Sequence, residues 1–343
     1  MTRKHISLKD IAAELNVSIS TVSRALKNHP DISPELADKI KTVANAWNYS
    51  PNPLAKGLLN QKTMTLGVVV PDLVTYFYSS IISGIEQVAR ENGYFILITS
   101  SYESLEKEQE CVKNLLASRV DGMIICLSKE TNDYIHFDTI IDNEIPLVFF
   151  DRVCRTSEVS SVVVNNREAA RQITNHLFQS GAKRIAHIAG PQHLNIAKER
   201  FEGYKMALTD NGLNYNPELV EFSDMTSEDT TLVTRRLLSL PNPPDAIFGI
   251  NDVVAFAVMK EIKKQKKNIP NDIMLVGITD EFHATIVDPP LTSVMHPTFE
   301  IGQEAARLLV EQCIAKEKPQ PVQVVMDTTL VVRESSVKKL LAK

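Results

Sequence analysis

The residues with the clearest chemical potential form one face of a short predicted helix at positions 19–27. Ser18 is suited to cap that helix, and an inward-facing stripe is formed by Val22, Ala25 and Leu26. The outer face then carries small, hydroxylated and cationic side chains, namely Ile19, Ser20, Ser23, Arg24 and Lys27. Arginine pairs with guanine, serine adapts to either base edge, and isoleucine contacts the thymine methyl group. This face therefore fits the major groove of DNA.

A preceding helix and a tight turn would position this face. Leu8, Ile11, Ala12 and Leu15 repeat at helical spacing, and residues 16–18 interrupt the pattern. The pair of helices predicts a helix-turn-helix unit. Its expected DNA-contacting residues are Ser18, Ile19, Ser20, Thr21, Ser23, Arg24 and Asn28. An ordinary helical hairpin is the alternative that this stretch alone leaves open.

A third helix is predicted from Pro34, which suits the first helical position, with Ser33 as its cap. Its apolar stripe would close a small core over the first two helices and consists of Leu36, Ile40, Val43, Ala44 and Trp47. Together the three helices predict an all-α DNA-binding domain over residues 1–50.

Residues 51–62 are a predicted linker with two open interpretations. Prolines and Gly57 favour a flexible hinge whose leucines pack on the rest of the chain. Alternatively, Asn52 caps a short hinge helix that forms only on DNA and beside a second copy. Leu58 would then be a wedge in the minor groove. The candidate DNA contacts of this segment are Asn52, Lys56 and Leu58.

The distribution of charge supports DNA binding by the N-terminal part. The 343-residue chain has a net charge of −5, but residues 1–62 contain nine Lys and Arg against five Asp and Glu, a net of +4. The remaining residues contain 28 against 37, a net of −9. A mildly basic N-terminal part joined to an acidic remainder gives modest affinity for DNA phosphates. Dimerisation would add a second N-terminal part and so increase this affinity.

Several classes of protein are disfavoured by the sequence. No apolar run is long enough to span a bilayer and the N-terminus lacks a secretory signal, so we expect a cytoplasmic protein without a membrane partner. Four scattered cysteines predict neither a metal site nor disulfides, and no cofactor is expected. The phosphate-binding, nucleophile-elbow and zinc-protease motifs do not occur, so no enzyme and no catalytic residue is predicted. A sugar-binding receptor without a role on DNA is the alternative function.

From residue 65 the chain alternates strands and helices. Residues 65–71 are a continuous apolar run, typical of a strand buried on both faces. Repeated strand–helix units predict two consecutive doubly wound parallel sheets, each covered by helices on both faces. Ligands in such folds bind outside the carboxyl ends of the strands, so we expect a cleft between two lobes to hold the ligand.

At this point the chain closely resembles the lactose-repressor (LacI/GalR) family of bacterial regulators. The resemblance covers nearly the whole length, and its motifs occur in the family's order: SLKDIAAELNVSISTVSRALKN, NYSPNPLAKGL, LGVVVPD, FFDR, IAGP, ERFEGY, IND and PPLTSV. The first two, placed before a two-lobed α/β body, are highly specific. The resemblance implies a transcriptional regulator, in most cases a repressor, whose affinity for DNA is controlled by a small-molecule effector.

The resemblance also implies an organisation. A homodimer would read half-sites of a near-palindromic double-stranded operator, with hinge helices that become ordered on DNA. The body would resemble a periplasmic binding protein, with residues 63–343 forming the effector-binding and dimerisation domain. Lobe 1 would comprise about 64–163 and 295–324, and lobe 2 about 164–293 and 325–343.

The resemblance and the predicted strand ends together suggest an effector site. The expected effector-binding residues are Tyr76, Phe77, Asp151, Arg200, Asn251 and Asp280. A carboxylate accepts hydrogen bonds from sugar hydroxyls, a guanidinium offers a planar fork, and an amide donates and accepts. For each polar residue, a helix cap or a surface ion pair is the alternative.

The chain departs from the family's pattern at three places. Thr279 stands where an acid is common, so either Thr279 or Asp280 faces the pocket. Met225 lies near the position of an aromatic lid, and His296 replaces a common glutamine. A sugar or sugar derivative is the expected effector, although purines, nucleosides and phosphorylated proteins also serve relatives.

Overall fold

The computed structural model describes residues 6–47, 49 and 62–338, which fall into two compact units, Met1–Thr63 and Met64–Lys343. The predicted hinge helix, with Asn52, Lys56 and Leu58, lies outside the described residues. Among the helices that are described, none combines the length and the apolarity needed to cross a membrane.

The described part of the first unit contains three helices, as the sequence predicts: α1 (Leu8–Glu14), α2 (Ile19–Leu26) and α3 (Pro34–Ala46). Helix α1 begins with a capping box, in which Ser7 Oγ accepts from the Asp10 amide at 3.3 Å while the Ser7 amide donates to the Asp10 carboxylate at 2.8 Å. Their shared core is fully buried and consists of Ile11, Val22, Ala25 and Ile40.

The predicted caps of the other two helices differ in outcome. Ser18 caps α2 through a 3.0 Å hydrogen bond that its Oγ accepts from the Thr21 amide. Ser33 occupies the cap position of α3, but its side chain makes no capping hydrogen bond, so this part of the prediction is wrong. Pro34 at the first helical position lacks an N–H in any case and starts the helix with its fixed φ.

The second unit begins with a parallel sheet and its covering helices. The strands are β1 (Thr65–Val70), β2 (Phe95–Ser100), β3 (Gly122–Ile125), β4 (Leu147–Phe150) and β5 (Ser160–Val164). The helices between them are α4 (Tyr76–Glu91), α5 (Leu105–Ala117) and α6 (Asp138–Asp142). Strand β1 is buried on both faces, as its continuous apolar run predicts.

The second half of this unit repeats the pattern. Its strands are β6 (Ile185–Ala189), β7 (Val220–Phe222), β8 (Ala246–Gly249), β9 (Met274–Thr279), β10 (Thr292–Met295), β11 (Gln323–Met326) and β12 (Thr329–Val331). Its helices are α7 (Asn166–Gln179), α8 (Asn195–Asp210), α9 (Ser227–Leu238), α10 (Asp252–Lys264) and α11 (Thr298–Ile314).

Within residues 62–338 the strands form two six-stranded sheets, with the orders β11-β5-β4-β3-β1-β2 and β12-β10-β9-β8-β6-β7. All neighbours are parallel except β12, which pairs antiparallel with β10. Helix α11 packs in the core of the first sheet. The described chain therefore passes between two lobes after β5, after β10 and between β11 and β12.

Two elements differ from the sequence prediction. Strand β10 was not predicted, because four residues are too few to show a period and the strand is specified by its neighbour β9. The alternation of strands and helices predicts a single helix at 132–143, but the structure has a 3-10 turn, Ile135–Phe137, followed by α6. Asp133 accepts from the Ile135 amide at 3.0 Å, which delays the start of the helix by a local turn.

Helices α4 and α11 cross with their backbones in contact. A Cβ atom at Gly84 would lie 2.1 Å from the carbonyl oxygen of Phe299, and one at Gly302 would lie 2.0 Å from the carbonyl oxygen of Ile81. Backbone atoms cannot move aside as a flexible side chain can. Glycine at both positions therefore sets the distance between the two helices that cover the first sheet.

We expect Gly84→Ala to lower the free energy of unfolding by about 2 kcal/mol or more, because the added methyl group overpacks this crossing. The adjacent exposed Ser83 provides a matched control, and Ser83→Ala should change the free energy by less than about 0.5 kcal/mol. Urea denaturation of the three proteins measures the difference. Equal stability of the two variants would contradict the proposed contact.

A buried carboxyl group joins the ends of three strands in the second lobe. Asp252, at the start of α10, accepts from Ser293 Oγ at 2.6 Å and from the Glu281 amide at 2.8 Å. The pKa of Asp252 is raised to about 7. Burial raises this pKa most, the two hydrogen bonds lower it, and the nearby charges of Asp280 and Glu281 raise it. The contacts hold the loops after β8 and β9 against β10.

Asp252→Asn keeps the shape of this side chain and removes its titration. Because the folded-state pKa of about 7 lies above the ordinary value of 3.8, the contribution of the carboxyl group is fully present below 3.8 and is lost as pH rises to about 7. We therefore expect the wild type to lose stability relative to Asp252→Asn over this range. Urea denaturation at a series of pH values measures this loss, and exposed Asp133→Asn is the control. A difference in stability between the wild type and Asp252→Asn that does not change with pH would refute the raised pKa.

Candidate functional site

The outer face of helix α2 presents most of the predicted DNA-contacting residues to solvent. Ile19, Ser20, Arg24 and Asn28 are exposed, whereas Thr21 and Ser23 are partly buried. The hydroxyl group of Ser18 lies 2.7 Å from Ser20 Oγ and 2.8 Å from Thr21 Oγ1, in addition to its capping bond. Ser18 and Thr21 therefore shape the start of the helix, and the residues after them form its accessible face.

Arg24 keeps its guanidinium available. Its nearest carboxylate is that of Asp31 at 4.0 Å, and both side chains are more than half exposed. An exposed ion pair at this distance contributes little to stability, so it does not prevent the arginine from turning to a base edge.

Asn28 adopts a φ of 55° just after α2 and ends the helix there.

The second unit contains a cavity of about 340 Å³ at the carboxyl ends of strands from both sheets. Of the residues expected from the sequence, the cavity wall contains Phe77, Asp151, Arg200 and Asn251. Met225 also lines it. Residues that sequence reasoning missed are Tyr78, Tyr102, Glu103, Lys129, Arg152 and Glu281.

The structure places Tyr76 and Asp280 beside the cavity and not in its lining. The half-exposed ring of Tyr76 lies 6.0 Å from the ring of Phe282. Asp280 is held by the guanidinium of Arg333, with O···N distances of 2.5 and 3.0 Å. Thr279 (φ 123°) and Asp280 (φ 51°) turn the backbone here, so Thr279 reaches the wall and Asp280 does not.

Asp151 offers a buried carboxylate with unused capacity to accept hydrogen bonds. It is 8% exposed and follows β4, and its closest donor among the described residues is the thiol of Cys126 at 4.0 Å. Burial raises the pKa of Asp151, while the charges of Arg200 and Arg152 lower it. A ligand hydroxyl would supply the hydrogen bonds that this carboxylate lacks.

Arg200 is the matching donor from the second lobe. It is 1% exposed, its Nε donates to Asn166 Oδ1 at 2.8 Å, and its Nη1 donates to the carbonyl of Ile250 at 2.8 Å. Burial lowers the pKa of Arg200 and the charge of Asp151 raises it. These bonds fix the plane of the guanidinium and leave Nη2 for a ligand.

Of two further candidates from the sequence, Asn251 lines the cavity and His296 does not. Asn251 caps α10, because its Oδ1 accepts from the Val254 amide at 2.9 Å, and its Nδ2 stays available. His296 is buried with its ring 6.1 Å from that of Phe77, and neither ring nitrogen has a hydrogen-bond partner among the described residues. Burial, together with the charge of Arg200, lowers the pKa of His296, so its ring is neutral.

The described residues show no arrangement that would hold a metal ion. His, Cys, Asp and Glu side chains within them form no group of three at ligand distance. The polar and aromatic groups that meet in the cavity are carboxylates, guanidinium groups, an amide and aromatic rings. This set suits a polar organic molecule with hydroxyl groups and an apolar face.

Comparisons with known proteins show what this chain is similar to. The family model "Bacterial regulatory proteins, lacI family" matches residues 7–52, and "Periplasmic binding protein-like domain" matches residues 174–336. The HTH-type transcriptional repressor CytR of Escherichia coli (strain K12) is 32% identical over 333 residues, which are 96% of this chain and 96% of CytR.

Two solved structures cover nearly the whole chain. The complex of the transcriptional regulator CelR with cellobiose has a TM-score of 0.73 and 30% identity, over 96% of this chain and 99% of that one. The lac repressor dimer bound to operator and the anti-inducer ONPF has a TM-score of 0.85 and 25% identity, over 98% and 100%. The chain accordingly belongs to the LacI family of bacterial regulatory proteins and is a DNA-binding transcriptional regulator.

Proposed function

We propose that this regulator represses transcription as a homodimer on a near-palindromic operator, and that a small carbohydrate in the cavity controls its affinity for that operator. The observation that carries the proposal is the pairing of Asp151 and Arg200, one from each lobe, across a cavity of about 340 Å³. The volume is sufficient for a small sugar. We further propose the domain boundaries 1–50, 51–62 and 63–343.

The chemistry of the wall supports a carbohydrate. Asp151 accepts hydrogen bonds, Arg200 donates them, and the amide of Asn251 supplies a further donor. Phe77 and Tyr78 give the wall an aromatic surface, on which the C–H face of a sugar ring packs. The solved relative CelR binds cellobiose, which is an uncharged sugar.

Contacts between the lobes suggest how a ligand would act. Asn195 of the second lobe accepts from the Val153 amide at 3.1 Å and donates to the carbonyl of Asp151 at 3.2 Å. Lys129 Nζ donates to the carbonyl of Asp224 at 2.9 Å. A ligand that binds both lobes favours the orientation in which these contacts form, and so shifts the population of lobe orientations.

Exposed apolar side chains on sheet edges support the homodimer. Phe95 is 74% exposed on β2, the outer strand of the first sheet, and Phe222 is half exposed on β7, the outer strand of the second. Open edges with large apolar groups are normally covered by another chain. The lac repressor, with which this chain shares its fold, is a dimer on its operator.

We expect Arg24→Ala to reduce discrimination between operator and random DNA by about tenfold or more, because a guanine contact is lost. Mobility-shift titration of the full chain with DNA from upstream of its own gene measures both affinities. The control Lys39→Ala removes the same charge from α3 and should leave the ratio of operator affinity to random-DNA affinity unchanged. An equal loss of both affinities in Arg24→Ala would show that Arg24 contacts phosphate, and the absence of any sequence-specific shift by the wild type would refute the operator.

We expect a neutral sugar in a thermal-shift panel to raise the Tm of the wild type, and Asp151→Asn to weaken its binding about tenfold, since a charged acceptor is lost. Asparagine also tolerates the φ of 55° at this position. Asp133→Asn is the control, because Asn keeps the acceptor for the Ile135 amide. Unchanged affinity in Asp151→Asn would place the ligand elsewhere.

A further inference from the structure

Arg152 is a second buried arginine in the cavity wall, and both of its terminal nitrogens are occupied. It is 5% exposed and directly follows Asp151. Its Nη1 donates to Glu103 Oε2 at 2.6 Å and its Nη2 donates to Glu103 Oε1 at 3.0 Å. This bidentate arrangement is the one in which arginine binds the carboxylate or phosphate group of a ligand. A side chain of the protein therefore fills the place of an anion.

A specific local structure brings Glu103 to this place. Tyr102 (φ 49°) and Glu103 (φ 61°) are consecutive residues in the left-handed region, in the turn between β2 and α5. Such a conformation is uncommon for residues other than glycine. Glu103 Oε2 also accepts from the Lys129 amide at 2.6 Å. Three donors from two further loops thus converge on one carboxylate.

The Glu103 carboxylate is charged at neutral pH. Burial alone would raise the pKa of Glu103, but the charge and hydrogen bonds of Arg152, with the Lys129 amide, hold it below its ordinary value. Arg152 likewise keeps its proton, since burial lowers its pKa but the interactions with Tyr78 and Glu103 together raise it above its ordinary value. The pair is therefore a salt bridge and not a neutral hydrogen-bonded pair.

Other charged groups of the wall also have partners within the protein. Arg200 has Asp151 as its opposite charge, Lys129 Nζ donates to the carbonyl of Asp224, and the carboxylate of Glu281 accepts from His283 at 2.7 Å. An anionic ligand at Arg152 would have to displace Glu103. A neutral ligand displaces neither carboxylate and can bridge Asp151 and Arg200.

We propose that Glu103 acts as a built-in anion that fills the guanidinium fork of Arg152 and thereby restricts the cavity to uncharged effectors. Glu103 is a specificity-determining residue that acts through Arg152. This inference rests on the proposed effector function. The occupied fork of Arg152 would exclude sugar phosphates and sugar acids as effectors that bind there.

Removal of the Glu103 carboxylate should create an anion site that small anions can fill. We would measure the Tm of the full-length wild type and of Glu103→Ala in sodium formate and in inorganic phosphate, each against sodium chloride of equal ionic strength. Phosphate stabilises many proteins non-specifically, so the readout is the increase in Tm of the variant beyond the increase in Tm of the wild type. We expect Glu103→Ala to have a lower Tm than the wild type in chloride and to recover it saturably in formate and phosphate.

Isothermal titration provides a second measurement. Glu103→Ala should bind phosphate about tenfold or more tighter than the wild type does, as for a new charge-assisted hydrogen bond.

Two further variants separate this effect from others. Glu103→Ala combined with Arg152→Leu should show no recovery, because the fork is gone. Glu221→Ala frees the surface guanidinium of Arg236, which is held by distances of 3.1 and 2.7 Å, and should show no anion-specific gain. If Glu103→Ala does not fold, Glu103→Gly suits the φ of 61° at this position and also empties the fork, and the same recovery is expected.

The inference is overturned if the wild type binds phosphate as tightly as the Glu103 variants, if anions give no recovery in a folded variant, or if Glu221→Ala recovers equally. None of these results affects operator binding or the response of the wild type to a neutral sugar. Failure of the inference is therefore distinguishable from failure of the proposed function.

Discussion

The burial of Arg200 is the constraint on which the cavity between the two sheets depends. A guanidinium that water cannot reach needs protein partners for its charge and its N–H groups, because its desolvation is otherwise too costly. Asn166, the carbonyl of Ile250 and the charge of Asp151 provide them. These partners come from the start of α7, the end of β8 and the end of β4. One side chain therefore fixes how three loops at the carboxyl ends of both sheets are arranged.

The same constraint links the cavity to the orientation of the lobes. Asp151 belongs to the first lobe and Arg200 to the second, so their attraction acts across the cleft. Asn195 adds hydrogen bonds to Val153 and Asp151 beside it. In the proposed function, a ligand that bonds to both charged groups strengthens this connection.

Local and periodic features of the sequence were sufficient to predict most of the fold. The apolar run of β1 indicated a doubly buried strand. Three helices are followed by glycines that adopt positive φ, a common local stop signal, at Gly93, Gly181 and Gly212. The sequence could not predict β10, which depends on pairing with β9, or the partner of Arg152, because Glu103 lies 49 positions away along the chain. For Asp280, motif position was a poor guide, since two left-handed residues decide which side chain meets the cavity.

Stability alone does not explain the salt bridge between Glu103 and Arg152. Desolvation of the buried Arg152 and the partly buried Glu103 cancels much of their attraction, and an apolar pair of similar volume often serves a fold equally well. The turn that presents Glu103 also uses two left-handed residues, Tyr102 and Glu103, which cost on the order of 1 kcal/mol each. An unfavourable turn that delivers a marginally stabilising pair is better explained by what the pair does in the cavity wall. It holds a guanidinium in a fixed orientation while leaving no uncompensated positive charge, and that combination selects among ligands by their charge.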